Sequence, residues 1–177
     1  MARAIVIDME RCMGCNTCRL ACAVAHSGSE TLLEALQGQV RPQPRISVMQ
    51  IGETALALQC RHCDDAPCVE KCPKDALSKP DPDGPVMLDA ELCIGCQICI
   101  QVCPLGEYGI VSLTPDGDTV VKCDLCIDRL EQGLEPACVA ACPTKALKLM
   151  DVQQATQEGF IATAEEMAEA LAEMAEI

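Results

Sequence analysis

Apolar residues along this chain come in short runs separated by polar turns. AIVI at 4–7, ISVMQI at 46–51, VML at 86–88, TVV at 119–121 and ALKLM at 146–150 read as β-strands. SGSETLLEALQG reads as a short helix, with Ser27 and Glu30 as its capping box and Gly38 as its stop. RPQPR at 41–45 and KPDPDGP at 79–85 read as turns or connectors. Past residue 150 the period changes. In TAEEMAEALAEMAEI, Thr163 and Glu166 carry a capping-box signature, and Met167, Leu171 and Met174 recur at helical spacing opposite a row of Glu. The pattern predicts an α+β fold built from small pieces and ending in an amphipathic helix.

Pieces this small bury little by themselves. At 177 residues the size prior allows one compact domain or two small intertwined lobes. Aromatic side chains supply much of the buried area of most cores, yet this chain has one Tyr (Tyr108), one Phe (Phe160) and no Trp. Its core must come from Ile, Val, Leu, Met and Ala, with help from something else. The 16 cysteines are that something.

They fall into four quartets with none left over: Cys12, Cys15, Cys18, Cys22; Cys60, Cys63, Cys68, Cys72; Cys93, Cys96, Cys99, Cys103; and Cys123, Cys126, Cys138, Cys142. VIDMERCMGCNTC around the first matches MLDAELCIGCQIC around the third. PCVEKCPKDAL in the second matches ACVAACPTKAL in the fourth. The chain is an internal duplication of a unit carrying two quartets.

Disulfides would suit a secreted protein. MARAIVIDME carries no long apolar segment, no cleavage pattern and no twin arginine, and no apolar stretch approaches the ~20 residues that span a bilayer. The expectation is a reducing cytoplasm, clustered thiols that bind metal, and no membrane insertion.

The spacing suits a [4Fe–4S] cube. C-x2-C-x2-C lets one tight loop supply three corners, with Gly14 and Gly95 allowing close backbone approach. The third and fourth cysteines, four positions apart, lie one turn along a short helix, so the fourth can point to a neighbouring cube. This is the logic of bacterial two-cluster ferredoxins. Pro73, Pro104 and Pro143 follow the last Cys of three quartets, as in that motif; the first has Ala23 instead, so its helix is expected to run on through CAVAH. Zinc prefers two well-separated pairs and fits four such quartets poorly.

The order and spacing of the quartets resemble the four-cluster, ferredoxin-like electron-transfer subunits of molybdenum, tungsten and nickel oxidoreductases. ACAVAHS…LLEA…PRISV is most similar to the small iron–sulfur subunits of tungsten aldehyde oxidoreductase and carbon monoxide dehydrogenase. The resemblance implies two intertwined two-cluster lobes over 1–150, an outer one from about 1–50 and 104–150 and an inner one from about 51–103, with 151–177 as an acidic helical extension. It implies four [4Fe–4S] clusters and no catalytic residues. By motif, their ligands are Cys12, Cys15, Cys18 with Cys142; Cys123, Cys126, Cys138 with Cys22; Cys60, Cys63, Cys68 with Cys103; and Cys93, Cys96, Cys99 with Cys72. It further implies a catalytic subunit of tungsten aldehyde oxidoreductase, carbon monoxide dehydrogenase or formate dehydrogenase type at one end. At the other stands a flavin subunit, ferredoxin or hydrogenase. A freely diffusing polyferredoxin and an iron–sulfur redox sensor are the alternatives.

Net charge, −14, argues against nucleic acid and anionic membranes as partners. Half of it comes from the seven acids after residue 150, where there is no base. With anionic cubes, the acidic shell favours the low end of the cluster potential range. The C-terminal stripe either folds back on its own domain or docks on another subunit, where a head-to-tail contact would build a filament. His26 reads as a helix-end residue and His62 as a local hydrogen-bonding group. Lys122 and Arg61, next to cluster cysteines, read either as potential-tuning charges or as solvated cations. The acids of DDAP and CDLCID read as surface groups.

Overall fold

The computed structural model describes residues 2–38, 41–160 and 163–175. Its strands are β1 (Arg3–Ile7), β2 (Ile46–Ile51), β3 (Thr54–Gln59), β4 (Leu77–Ser78), β5 (Met87–Leu88), β6 (Val111–Leu113), β7 (Val120–Lys122) and β8 (Leu147–Asp151). Its helices are α1 (Thr17–Ala25), α2 (Leu32–Gln37), α3 (Pro67–Glu70), α4 (Ile98–Gln101), α5 (Ile127–Glu131), α6 (Ala137–Ala140), α7 (Val152–Gln157) and α8 (Ala164–Ala175). The small α+β character expected from the runs is what forms.

Among the described residues the strands make four antiparallel ribbons: β1 with β8, β2 with β3, β4 with β5, and β6 with β7. A two-stranded ribbon is marginal alone, so the ribbons depend on one shared aliphatic core. Ile5, Leu56, Leu58, Val86, Leu105, Ile110, Val120 and Leu171 are almost completely enclosed there. The β1–β8 ribbon pairs the strand before the first quartet with the strand after the fourth, in the register Ile5 to Leu149. The β4–β5 ribbon pairs the strand after the second quartet with the one before the third, Leu77 to Leu88. In the same way α1 packs on α6, and α3 on α4. The duplication therefore reappears as matched strand and helix pairs.

Helix α1 runs through Ala25, as the absence of a Pro after Cys22 predicts, and ends where His26 N–H donates to Cys22 O. The capping box of α2 is a correction. It is made by Thr31 and Glu34, with Glu34 N–H donating to Thr31 Oγ1 at 3.3 Å and Thr31 N–H to Glu34 Oε2 at 3.2 Å. Ser27 lies too far before α2 to cap it: the helix starts at Leu32, while the Ser27 hydroxyl donates to Val24 O at 2.8 Å and accepts from Ser29 N–H at 3.2 Å. Gly38 does end α2.

Strand β3 is an addition to the expected set. TALALQ alternates after a tight turn at Gly52, whose φ is +57°, and folds back on β2 with Met49 opposite Leu56.

Helix α8 carries the predicted capping box: Glu166 N–H donates to Thr163 Oγ1, and Thr163 N–H to Glu166 Oε2, both at 3.2 Å. Met167 and Leu171 are buried in the chain's own core. The apolar stripe is thus used in cis, which corrects the head-to-tail filament idea: that contact would need the same side chains exposed. Within the described residues no helix is long and apolar enough to cross a membrane.

Candidate metal centres

Each centre begins with a loop whose backbone is forced into the left-handed region. Gly14 and Gly95 have φ of +65° and +64°, and the following Asn16 and Gln97 have φ of 62° and 64°. Equivalent sequence positions thus carry equivalent dihedrals. At Gly95 a Cβ would lie 2.2 Å from Gly117 O, so only glycine fits. After the Cys-Pro of the second and fourth quartets, Asp75 and Lys145 adopt φ of 50° and 55°. In the fourth quartet Leu125 and Cys126 have φ of 58° and 50°, and Leu125 N–H donates to Cys123 Sγ at 3.4 Å.

The loops gather the thiols into four groups. One cavity is lined by Cys12, Cys15, Cys18 and Cys142 with Val48, Ala57 and Leu147. A second is lined by Cys93, Cys96, Cys99 and Cys72 with Leu77, Leu88 and Val120. A third is lined by Cys60, Cys63, Cys68, Cys99 and Cys103. Burial pushes Cys138 up, and the thiols whose proximity adds most to this are Cys22 and Cys126, then Cys18. Burial pushes Cys123 up, and the neighbouring Cys60 and Cys138 add to it. The first two cavities take three thiols from one quartet and one from another; the third takes three from the second quartet and two, Cys99 and Cys103, from the third. Of the sixteen, only Cys15 and Cys96 are exposed.

The thiol electrostatics test what such groups suit. Burial, reinforced by the charges of Cys12, Cys15 and Cys142, pushes Cys18 up to about 11. Burial and then Cys60 push Cys63 up to about 11; burial and then Cys60, Cys68 and Cys63 push Cys103 up to about 12. Four clustered thiols in an apolar pocket cannot ionise together without positive charge among them. All sixteen are free of disulfides. Clustered sulfurs against aliphatic walls, with a backbone N–H donating to Cys123 Sγ, fit an iron–sulfur cube.

The surrounding polar groups differ in part from the sequence reading. Asp124, in CDLCID, is a correction: it is half-buried, accepts from His26 Nε2 at 3.1 Å and from Cys126 N–H at 2.8 Å, and pairs with Arg45. His26 sits at the end of α1 as expected, but Nε2 is committed to Asp124 while Nδ1 lies 2.8 Å from Cys22 O. Arg45 N–H donates to Cys22 Sγ at 3.2 Å. No local signal reveals that network, because its members lie far apart in sequence. His62 is a hydrogen-bonding group, as expected, but its partner is 24 positions away: Nδ1 accepts Val86 N–H at 3.0 Å. Lys122 and Arg61 are buried, which removes the solvated-cation reading of both. Lys79, overlooked in the sequence, ties the Cys60–Cys63 loop by donating to His62 O and Cys63 O, each at 3.1 Å.

A family model described as "4Fe-4S dicluster domain" matches residues 53–152, which hold the last three quartets. The chain belongs to the 4Fe–4S dicluster family. It is 40% identical to an "Iron-sulfur protein" of Rhodospirillum rubrum, over 84% of this chain and 82% of the relative. It is 37% identical to "Electron transport protein HydN" of Escherichia coli (strain K12), over 85% of this chain and 89% of that one. Against a subunit of tetrathionate reductase from Salmonella typhimurium it is 34% identical, over 85% of this chain and 58% of the relative. This dicluster protein is an iron–sulfur electron carrier of the kind found as an oxidoreductase subunit, and its cofactors are [4Fe–4S] clusters.

Proposed function

We propose that the chain is the electron-transfer subunit of a multi-subunit oxidoreductase and carries four [4Fe–4S] clusters in a row. Each cluster is held by one of the four crossed sets: Cys12, Cys15, Cys18, Cys142; Cys22, Cys123, Cys126, Cys138; Cys60, Cys63, Cys68, Cys103; and Cys72, Cys93, Cys96, Cys99. The matched pairs β1–β8 with α1–α6, and β4–β5 with α3–α4, support two two-cluster lobes, an outer and an inner one. The observation that carries the reading is continuity of the thiol groups. Cys138 interacts with Cys18 of the first set, and Cys123 with Cys60 of the third. Cys99 lines the third cavity while belonging to the fourth set.

When bound, the clusters supply one-electron exchange. The protein's part is to hold them close, keep water from the middle of the row and leave its ends open. Cys15 and Cys96 provide those openings, beside the exposed side chains of Met13 and Ile94. A catalytic subunit, of the tungsten aldehyde oxidoreductase, carbon monoxide dehydrogenase or formate dehydrogenase type, would meet one end. A flavin subunit, ferredoxin or hydrogenase would meet the other. The relation to a tetrathionate reductase subunit supports a permanent partner.

Anaerobic purification tests both halves of the proposal. The expected result is about sixteen irons per chain and a large subunit, identified by mass spectrometry, that stays bound through size exclusion. Full iron without a stable partner would instead indicate a diffusing polyferredoxin.

A further inference from the structure

Lys122 ends β7, opposite Val111 of β6, and its side chain is 3% exposed. Nζ donates to Cys123 O at 2.7 Å and to Val86 O. Two neutral carbonyls orient an ammonium group but leave its charge uncompensated, and a buried unpaired charge is strongly disfavoured. Among the described residues no carboxylate pairs with Lys122. Asp124, two positions on, is engaged by His26 and Arg45. His62 adds no negative charge: it is an acceptor of Val86 N–H through Nδ1, and burial, then Lys122, hold it neutral.

What Lys122 does face is sulfur. It lines the cavity of Cys60, Cys63, Cys68 and Cys103 beside the buried Arg61, which donates to Ile5 O at 2.7 Å and whose charge acts on Cys60, Cys63 and Cys123. The charge of Lys122 favours the thiolates of both Cys68 and Cys123, against the burial that opposes them. Those two thiols belong to different sets, so the ammonium stands at the junction of the two central ones. The terminal cavities differ. No basic residue lines that of Cys12, Cys15, Cys18 and Cys142, and the Cys93 cavity has only the exposed Lys74.

We propose that Lys122 is a counter-charge shared by the two central clusters, acting beside Arg61 and raising the reduction potential of both above the value their burial alone would give. This rests on the four-cluster reading. Reduction adds one electron, supplied by the redox partner, to an already anionic cube. A low-dielectric setting opposes that added charge, and a fixed neighbouring ammonium favours it. The middle of the row is thereby kept from becoming a barrier between its ends.

The test is an EPR-monitored redox titration of the anaerobically purified full chain and of K122M, K122Q, K122R and K74Q, with iron counted first. K122M and K122Q should move two of four midpoints to more negative values and leave the other two in place. K122R should restore them, and K74Q should leave the central pair unchanged. No shift, or an equal shift of all four, overturns the inference. If the neutral variants lose two clusters while K122R keeps them, the charge is needed even to hold the cubes, and the inference stands. If K122R loses them too, Lys122 acts through shape and the inference falls. A wild-type chain far short of about sixteen irons sinks the four-cluster reading itself, and this inference with it.

Discussion

Asp124 Oδ1 accepts a hydrogen bond from His26 Nε2 at 3.1 Å, joining groups 98 positions apart. The contact ties the end of the α1 helix, which carries Cys18 and Cys22, to the loop that carries Cys123 and Cys126. Arg45 reinforces it from the connector before β2.

D124N keeps the shape of the side chain and removes its charge. The loss should cost about 1–3 kcal/mol, the range for a buried polar group deprived of its partner. The cost should also depend on pH. Burial opposes the charge on Asp124, but the bond and charge of His26 outweigh it and hold the carboxyl well below its usual range. That contribution is present above about pH 4 and fades as the pH falls further. Burial likewise opposes the charge on His26, yet its bonds to Asp124, Cys126 and Cys22 push it up to about 12. Its contribution is complete below about pH 6.5 and declines as the pH rises toward the folded value. Thermal bleaching of wild type and D124N should therefore differ most between about pH 5 and 6.5, and less at pH 9. A gap of constant size would mean that the pair acts only through packing.

The crossed ligand sets make reciprocal demands. C142A should abolish the cluster at the Cys12–Cys18 loop and spare the one at Cys123, Cys126 and Cys138, while C22A should do the reverse. Each should lose about four irons per chain, and EPR should show different surviving signals in the two variants. Identical survivors would refute the crossing.

G95A should fail at one centre. The new Cβ would collide with Gly117 O, at a φ that L-residues adopt only at a cost of about 1–2 kcal/mol. Loss of the cluster at Cys93, Cys96, Cys99 and Cys72 is expected, measured as iron content. G109A is the control: its φ is also positive, but its Cβ would meet open space, so all the iron should remain.

L171A should destabilise the chain by about 2–5 kcal/mol, the usual cost of emptying a fully buried Leu site. Assembly size in light scattering should not change, because Leu171 packs within its own chain. Denaturant midpoints with and without the substitution, taken on holoprotein, measure the first effect.

The local features were legible because they depend on neighbours in sequence. Strand β2 forms over the expected residues, and β1, β5, β7 and β8 lie within a residue or so of their apolar runs. Helix α8 was legible from its cap and stripe. Strand β3 had a usable signal, alternation after a Gly turn, that the opening run ISVMQI overshadowed. The Ser27–Glu30 signature lies ahead of the helix, whose start at Leu32 puts the cap on Thr31 instead.

By itself the sequence determined the thiol count, the quartet spacing, the duplication and the glycine positions of the Gly14 and Gly95 loops, since each is a matter of residue type within a few bonds. Only the tertiary structure decided which charges are buried. Asp124 faces His26 and Arg45, Lys122 sits between two groups of sulfur, and the Met167–Leu171 stripe closes on its own core. Burial and charge pairing act through space, across distances that depend on how the whole chain is folded, and no short stretch of residues encodes them.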